Sequence, residues 1–188
     1  PHERKAPASL TKIMTAYLAA QEISAGRINP MDEVLISIRA WRTGGSKMFI
    51  REGTKVQVSD LMKGIVIQSG NDASIAIAEH IAGSESAFAD MMNQQASVLG
   101  MKNSHFRNAT GLPDDEHYSS AWDMALLTRD LINRFPEHYA MYSERSFKFN
   151  DIEQPNRNDL LWRDKTVDGV KTGYTRAAGY CLVASAVR

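Results

Sequence analysis

Cysteine is almost absent from this chain. The one thiol, Cys181, excludes an internal disulfide, so burial and hydrogen bonding must hold the fold together. Histidines are few and scattered: His2, His80, His105, His117 and His138. None stands in an H-E-x-x-H or comparable ligand spacing, so neither a metal nor another cofactor is expected. An excess of one charge is missing too. The 22 Lys and Arg balance 22 Asp and Glu, no basic stripe stands out, and no nucleic-acid partner is expected. No apolar run approaches the ~20 residues that cross a bilayer. No signal peptide is recognisable, and there is no internal repeat or low-complexity tract. What is present is an ordinary globular composition: 188 residues, 43% hydrophobic, enough for one domain or one domain of two lobes.

Hydrophobic spacing and breakers divide the chain into elements. Pro7 and Ala8 lead into Ser9, and a helix is expected from Leu10 to Ser24, stopped by Gly26. Its stretch from Ile13 to Ala20 is apolar almost all round, which predicts burial on most sides. Val34 to Ile38 reads as a short strand and Thr43 to Ser46 as a loop. Ser59-Asp60 reads as the cap of a short helix through Val66. Gln68 to Asp72 is a turn. Helices follow over Ala73 to Ile81, closed by Gly83, and Glu85 to Leu99, closed by Gly100. Ser119 or Ser120 caps a further helix to Phe135, with Met124, Leu127, Leu131 and Ile132 at helical spacing. Beyond Pro136 the texture changes. Phe147, Phe149 and Ile152 alternate as in a strand, and Val167 to Thr172 and Gly179 to Val187 read as strands joined around Tyr174 to Ala178. The class is α/β in the α+β sense, helical in the centre and sheet-forming at the end. Cys181 is expected as a buried small hydrophobe and Trp41, Trp122 and Trp162 as packing residues, Trp162 also near a cleft. His105 and His117 flank a loop and receive no role.

Three short segments carry chemistry. In Ser9-Leu10-Thr11-Lys12 a hydroxyl and an amine stand one helical turn apart on one face. A serine is a weak nucleophile until a base takes its proton, and a lysine serves only if its pKa is lowered by burial or a neighbouring cation. Lys171 is a candidate for that cation. In Ser69-Gly70-Asn71, Gly70 allows a tight turn that aims both neighbours one way. Ser69 could then relay a proton, while Asn71 could bind a substrate amide and orient Lys12. In Lys171-Thr172-Gly173 an ammonium and a hydroxyl suit a carboxylate, and the glycine admits substrate backbone to the strand edge. Each string alone is commonplace: a surface pair, a plain turn, an edge-strand lysine. Their conjunction, in this order, is not.

S-x-x-K, S-D-N and K-T-G are together the signature of β-lactamases and penicillin-binding proteins. With its longer strings Pro7 to Thr15, Gln68 to Ala73, Asn156 to Asn158 and Val167 to Gly173, the chain resembles the low-molecular-weight penicillin-binding proteins over nearly its whole length. It is most similar to the D-alanyl-D-alanine carboxypeptidase type. The resemblance implies a serine β-lactamase/DD-peptidase-like fold, a helical lobe plus an antiparallel sheet flanked by helices. It implies that residues 1–188 are the catalytic domain, without the family's leading strands, last sheet strand or strands, and C-terminal domain. It implies Ser9 as nucleophile, Lys12 as proton acceptor and Ser69 as relay. Asn71, Lys171, Thr172 and Gly173 would bind substrate, and the backbone N–H groups of Ser9 and Tyr174 would form the oxyanion hole. The implied partners are peptidoglycan pentapeptide stems and β-lactams. The implied place is the periplasmic face of the bacterial inner membrane, reached through a C-terminal anchor that this chain does not contain.

Thr110 and Tyr174 stand where the best-known member carries histidines. The family's carboxylate-binding arginine is missing from its usual strand, with Arg176 and Arg188 as possible substitutes. A D-Ala-D-Ala endopeptidase, a serine β-lactamase and a non-catalytic β-lactam sensor or peptidoglycan-binding module remain alternatives. The lactamase loses ground because no glutamate between the second and third segments has an asparagine four residues on. Finally, a hairpin ending near Val187 would expose a strand edge, so these residues alone are expected to be unstable.

Overall fold

α1, Thr11–Ser24, is the axis of the molecule; the computed structural model describes all of residues 1–188. A 3-10 turn, Ala8–Leu10, leads straight into it. Eleven of the 14 residues of α1 are buried, as an all-round apolar helix requires. Around it lie α3 (Val58–Val66), α4 (Asn71–Ala82), α5 (Glu85–Val98) and α6 (Ala121–Arg134). The polar tip of buried Tyr17 is satisfied by donating to Asp130 Oδ2 at 2.6 Å.

The expected helices are all present, closed by left-handed Gly83 after α4 and capped by Ser84 at α5 and Ser120 at α6. Their starts shift where distant groups do the capping. α3 begins at Val58, so Ser59 lies inside it. The Val58 and Ser59 N–H groups bond to the Asp32 and Pro30 carbonyls at 3.0 and 2.9 Å, which replaces a side-chain cap. α4 begins at Asn71, two residues before the expected start. Strand β1 is only Glu33–Leu35, because Ser37 Oγ accepts the Ala40 N–H at 3.0 Å and opens α2, Ile38–Arg42. β1 pairs antiparallel with β2, Lys55–Gln57.

Beyond α6, α7 (Pro136–Tyr139) and a 3-10 turn lead to two antiparallel hairpins. β3 (Ser146–Phe149) pairs with β4 (Ile152–Pro155). Asn150 and Asp151 turn the chain in left-handed conformations, so Ile152 faces Phe149 from the partner strand instead of continuing its own. α8, Leu160–Arg163, precedes β5 (Val167–Thr175) and β6 (Gly179–Ala186). That ladder is longer than expected. Tyr174 pairs with Tyr180 and Thr175 with Gly179, leaving a turn that Thr175 Oγ1 closes by accepting the Ala178 N–H at 3.0 Å. Trp41, Trp122 and Trp162 are at least 39% exposed and do not pack in the core, and Cys181 is only half-buried.

Candidate active site

The 3-10 turn that carries Ser9 lies against β5, and this contact brings the three segments together. Gly173 decides how close the strand comes. A Cβ there would stand 3.0 Å from the Ser9 nitrogen and 3.3 Å from that of Leu10. Lys12 Nζ lies 3.1 Å from Ser9 Oγ and donates at 2.6 Å to the Thr110 carbonyl. The amine is almost wholly out of water. Burial, then the Lys171 ammonium, then the Arg157 guanidinium hold it well below the usual lysine range, against a smaller pull from Asp72. A neutral amine that donates to Thr110 keeps its lone pair available to the serine proton. The carbonyl orients Lys12; no bond joins Lys12 to Asn71, contrary to the expectation from the sequence.

At the second segment the strain falls on the serine. Ser69 has φ +64° while Gly70 has φ −61°. Gly70 is a glycine for lack of space: a Cβ would stand 2.9 Å from Asp72 Oδ1 and 3.2 Å from the Met48 nitrogen. The buried Ser69 hydroxyl finds no hydrogen-bond partner in the chain, and strain together with an unpaired buried hydroxyl marks a functional position. Asn71 is drawn the other way, its Nδ2 donating to the Gly44 carbonyl at 2.7 Å. The Asp72 carboxylate, wholly buried at the N-terminus of α4, accepts from the Met48, Phe49, Ile50 and Ala73 N–H groups and so shapes the loop above.

A cleft of about 750 Å³ opens over these groups. Ser9 and Ser69 line it from one side, Thr172, Gly173, Tyr174 and Tyr180 from the hairpin, and Arg157 and Asp159 from the turn after β4. Lys12, Asn71 and Lys171 lie outside its lining. Lys171 is buried, donates to the Thr172 carbonyl at 3.0 Å, and is pushed down to about 7 by burial and Arg157. It sits as a second cation behind the wall.

The guanidinium that opens onto the cleft is that of Arg157, rather than Arg176 or Arg188. The string Asn156-Arg157-Asn158 explains it. Both asparagines are buried; Asn156 donates to the Glu144 carbonyl at 2.9 Å and accepts the Asn158 N–H at 2.9 Å. With its neighbours turned inward, Arg157 projects outward. Alternation of buried amides around an arginine was the available sequence signal. Trp162 does not line the cleft.

A strained serine, a lysine amine beside a second serine, and a glycine-edged strand are thus assembled on one fold. The family profile described as D-alanyl-D-alanine carboxypeptidase (Peptidase S11) matches residues 1–188. The chain belongs to this family. It is 50% identical to the D-alanyl-D-alanine carboxypeptidase DacA of Escherichia coli (strain K12), over 97% of this chain and 47% of the relative. It is 43% identical to the D-alanyl-D-alanine carboxypeptidase DacF of Bacillus subtilis, over 98% of this chain and 49% of that protein. The chain therefore spans about half the length of the curated relatives it matches. Among solved structures, penicillin binding protein 5 from Haemophilus influenzae superposes with a TM-score of 0.97 at 47% identity, over 100% of this chain and 56% of that one. Penicillin-Binding Protein D2 from Listeria monocytogenes, in its ampicillin-bound form, gives 0.88 at 29% identity, over 99% of this chain and 76% of that one. The helical lobe joined to antiparallel strands is the fold of this family, as the sequence resemblance implied.

Proposed function

We propose that residues 1–188 are the catalytic domain of a serine-type D-Ala-D-Ala carboxypeptidase acting on peptidoglycan pentapeptide stems. The single observation that carries the reading is the Ser9 hydroxyl 3.1 Å from a buried Lys12 amine whose pKa is strongly lowered. Ser9 Oγ attacks the carbonyl of the penultimate D-alanine as Lys12 Nζ takes its proton. The backbone N–H groups of Ser9 and Tyr174 receive the oxyanion where the turn and β5 meet. The proton passes through Ser69 to the departing amine, the C–N bond breaks, and free D-alanine leaves an ester on Ser9. Water then attacks the ester with Lys12 again as base, which releases the shortened stem and restores the hydroxyl. Thr172 and Arg157 face the terminal carboxylate, with Lys171 behind them adding positive potential. Asn71 holds the loop that walls the cleft. β-Lactams acylate the same serine, but their leaving nitrogen stays tethered.

The reading places the enzyme outside the cytoplasm, at the periplasmic face of the inner membrane, where its substrate lies. No helix of the chain is long and apolar enough to cross a membrane. The lactamase reading lacks support in the site, since Asp159 is the one carboxylate lining the cleft.

Benzylpenicillin followed by mass spectrometry tests the proposal. A covalent adduct is expected on Ser9, none on Ser9→Ala, together with multiple-turnover D-alanine release by the native protein. An adduct on the alanine variant would refute the nucleophile. An adduct without turnover would mark a sensor.

A further inference from the structure

We propose that His117 is a positioning residue for the Lys12 amine, acting through Thr11 and the Phe106–Gly111 segment. The inference rests on the assignment of Lys12 as base. What orients Lys12 is a backbone carbonyl, Thr110 O, at 2.6 Å. Whatever fixes the segment bearing that carbonyl therefore fixes the amine.

The segment is pinned from behind. Asn93 grips Phe106 through both its N–H and its carbonyl, each at 2.8 Å. Thr15 donates to the Ala109 carbonyl at 2.7 Å, and Glu85 accepts the Ala109 N–H at 3.1 Å. The Thr15 bond joins the segment to α1 one turn beyond Lys12. It leaves the side facing Thr11 and the Ser9 turn to be held separately.

A second tie, beside the base itself, is made by His117, which is 4% exposed. Its Nδ1 accepts the Arg107 N–H at 3.0 Å. The ring proton is thereby confined to Nε2, which donates to Thr11 Oγ1 at 2.8 Å. One rigid ring thus spans from Arg107, three residues before the acceptor carbonyl, to Thr11, the residue before the base. Burial, with smaller contributions from His105 and Lys12 and an opposing one from Asp114, pushes His117 down to about 4. The neutral ring and its single tautomer therefore persist through neutral pH. Gly111 completes the joint with φ +82°, where a Cβ would stand 1.8 Å from the Ala8 carbonyl. A histidine that only filled space would need neither a fixed tautomer nor two hydrogen bonds that join separate segments.

The test measures acylation of Ser9 by a chromogenic penicillin under stopped flow, separating non-covalent affinity from the acylation rate constant. His117→Phe keeps the edge-on contact with Phe106 but removes both hydrogen bonds. Thr11→Val removes one bond and leaves the histidine in place. Each is expected to slow acylation about ten- to a hundredfold, the scale of a small misplacement of a reacting group, with affinity essentially unchanged. The double variant should be no slower than the slower single one, because both cut the same connection. His117→Gln, whose amide can both accept and donate, should recover most of the rate. Folded His117→Phe or Thr11→Val protein acylating at the native rate would overturn the proposal. So would a loss confined to affinity, or additive losses in the double variant. If the native protein itself formed no Ser9 adduct, the base assignment would fail first, a result distinct from these.

Discussion

Lys12 and Lys171 are both buried amine side chains, and folding lowers the pKa of each. An amine with a depressed pKa sheds its proton as the chain folds. The unfolded state then binds more protons, and stability rises with pH. For Lys171 the rise begins near its folded value of about 7 and ends near the ordinary 10.5. Its slope is at most about 1.4 kcal/mol per pH unit for one proton. Lys171→Met keeps the stem and deletes the titration. Urea melts between pH 7 and 9.5 should show a flatter rise for the variant, a higher stability near pH 7, and lost activity. Identical slopes would mean that Lys171 does not change protonation on folding. Gly173 is the second single-residue test. In Gly173→Ala the new methyl reaches the Ser9 nitrogen at 3.0 Å, so the turn must yield by a few tenths of an ångström. Acylation should slow about ten- to a hundredfold while the melting temperature moves little. Native acylation by the alanine variant would show that the turn can yield without cost.

Between residues and whole, the start of α4 does the most for the site. Asp72 gathers four backbone N–H groups there, and the loop it shapes supplies the Gly44 carbonyl that holds Asn71. Asp72→Asn puts an amide N–H₂ where acceptors are needed and leaves buried donors unpaired. The expected loss is about 3 kcal/mol by denaturant melting, with faster proteolytic cutting between Gly44 and Ile50. A variant as stable as the native protein would show that the loop finds other acceptors. This element also explains which boundaries the sequence revealed. Glycine closers and serine caps are local, so Gly83, Gly100 and the Ser119-Ser120 pair mark helix ends on their own. The starts of α3 and α4 depend on the Asp32 and Pro30 carbonyls and on a strained serine, which no local pattern encodes.

One apolar core runs through the molecule. It joins the helices to Phe147 of β3 and Val170 of β5, so the two halves are not independent. Where the outer edge of β6 is covered, a single cooperative unfolding transition is the expected result. Within it, native-state hydrogen exchange should release the α1 amides last, because that helix is enclosed by four others. The β3–β4 hairpin, with its exposed Asn150-Asp151 turn, should exchange early. Early exchange of α1 would contradict its place at the centre of the core.

The sequence by itself determined the family, the helical centre, the terminal hairpin and the three strings that meet at the cleft. Each of those is written in local order: apolar periodicity, capping residues, and chemistry at fixed spacing. Only the tertiary structure decided what each string faces. Lys12 is oriented by a carbonyl at Thr110, and a backbone carbonyl leaves no mark in a sequence. Arg157 supplies the guanidinium because its neighbours turn inward, and Lys171 withdraws behind the wall it was expected to line. The lowered pKa of Lys12 follows from burial and from the charges of Lys171 and Arg157, and that of Lys171 from burial and Arg157. These are distances through space, between Lys12 and Thr110 across 98 positions of chain, and chain order does not carry distances of that kind.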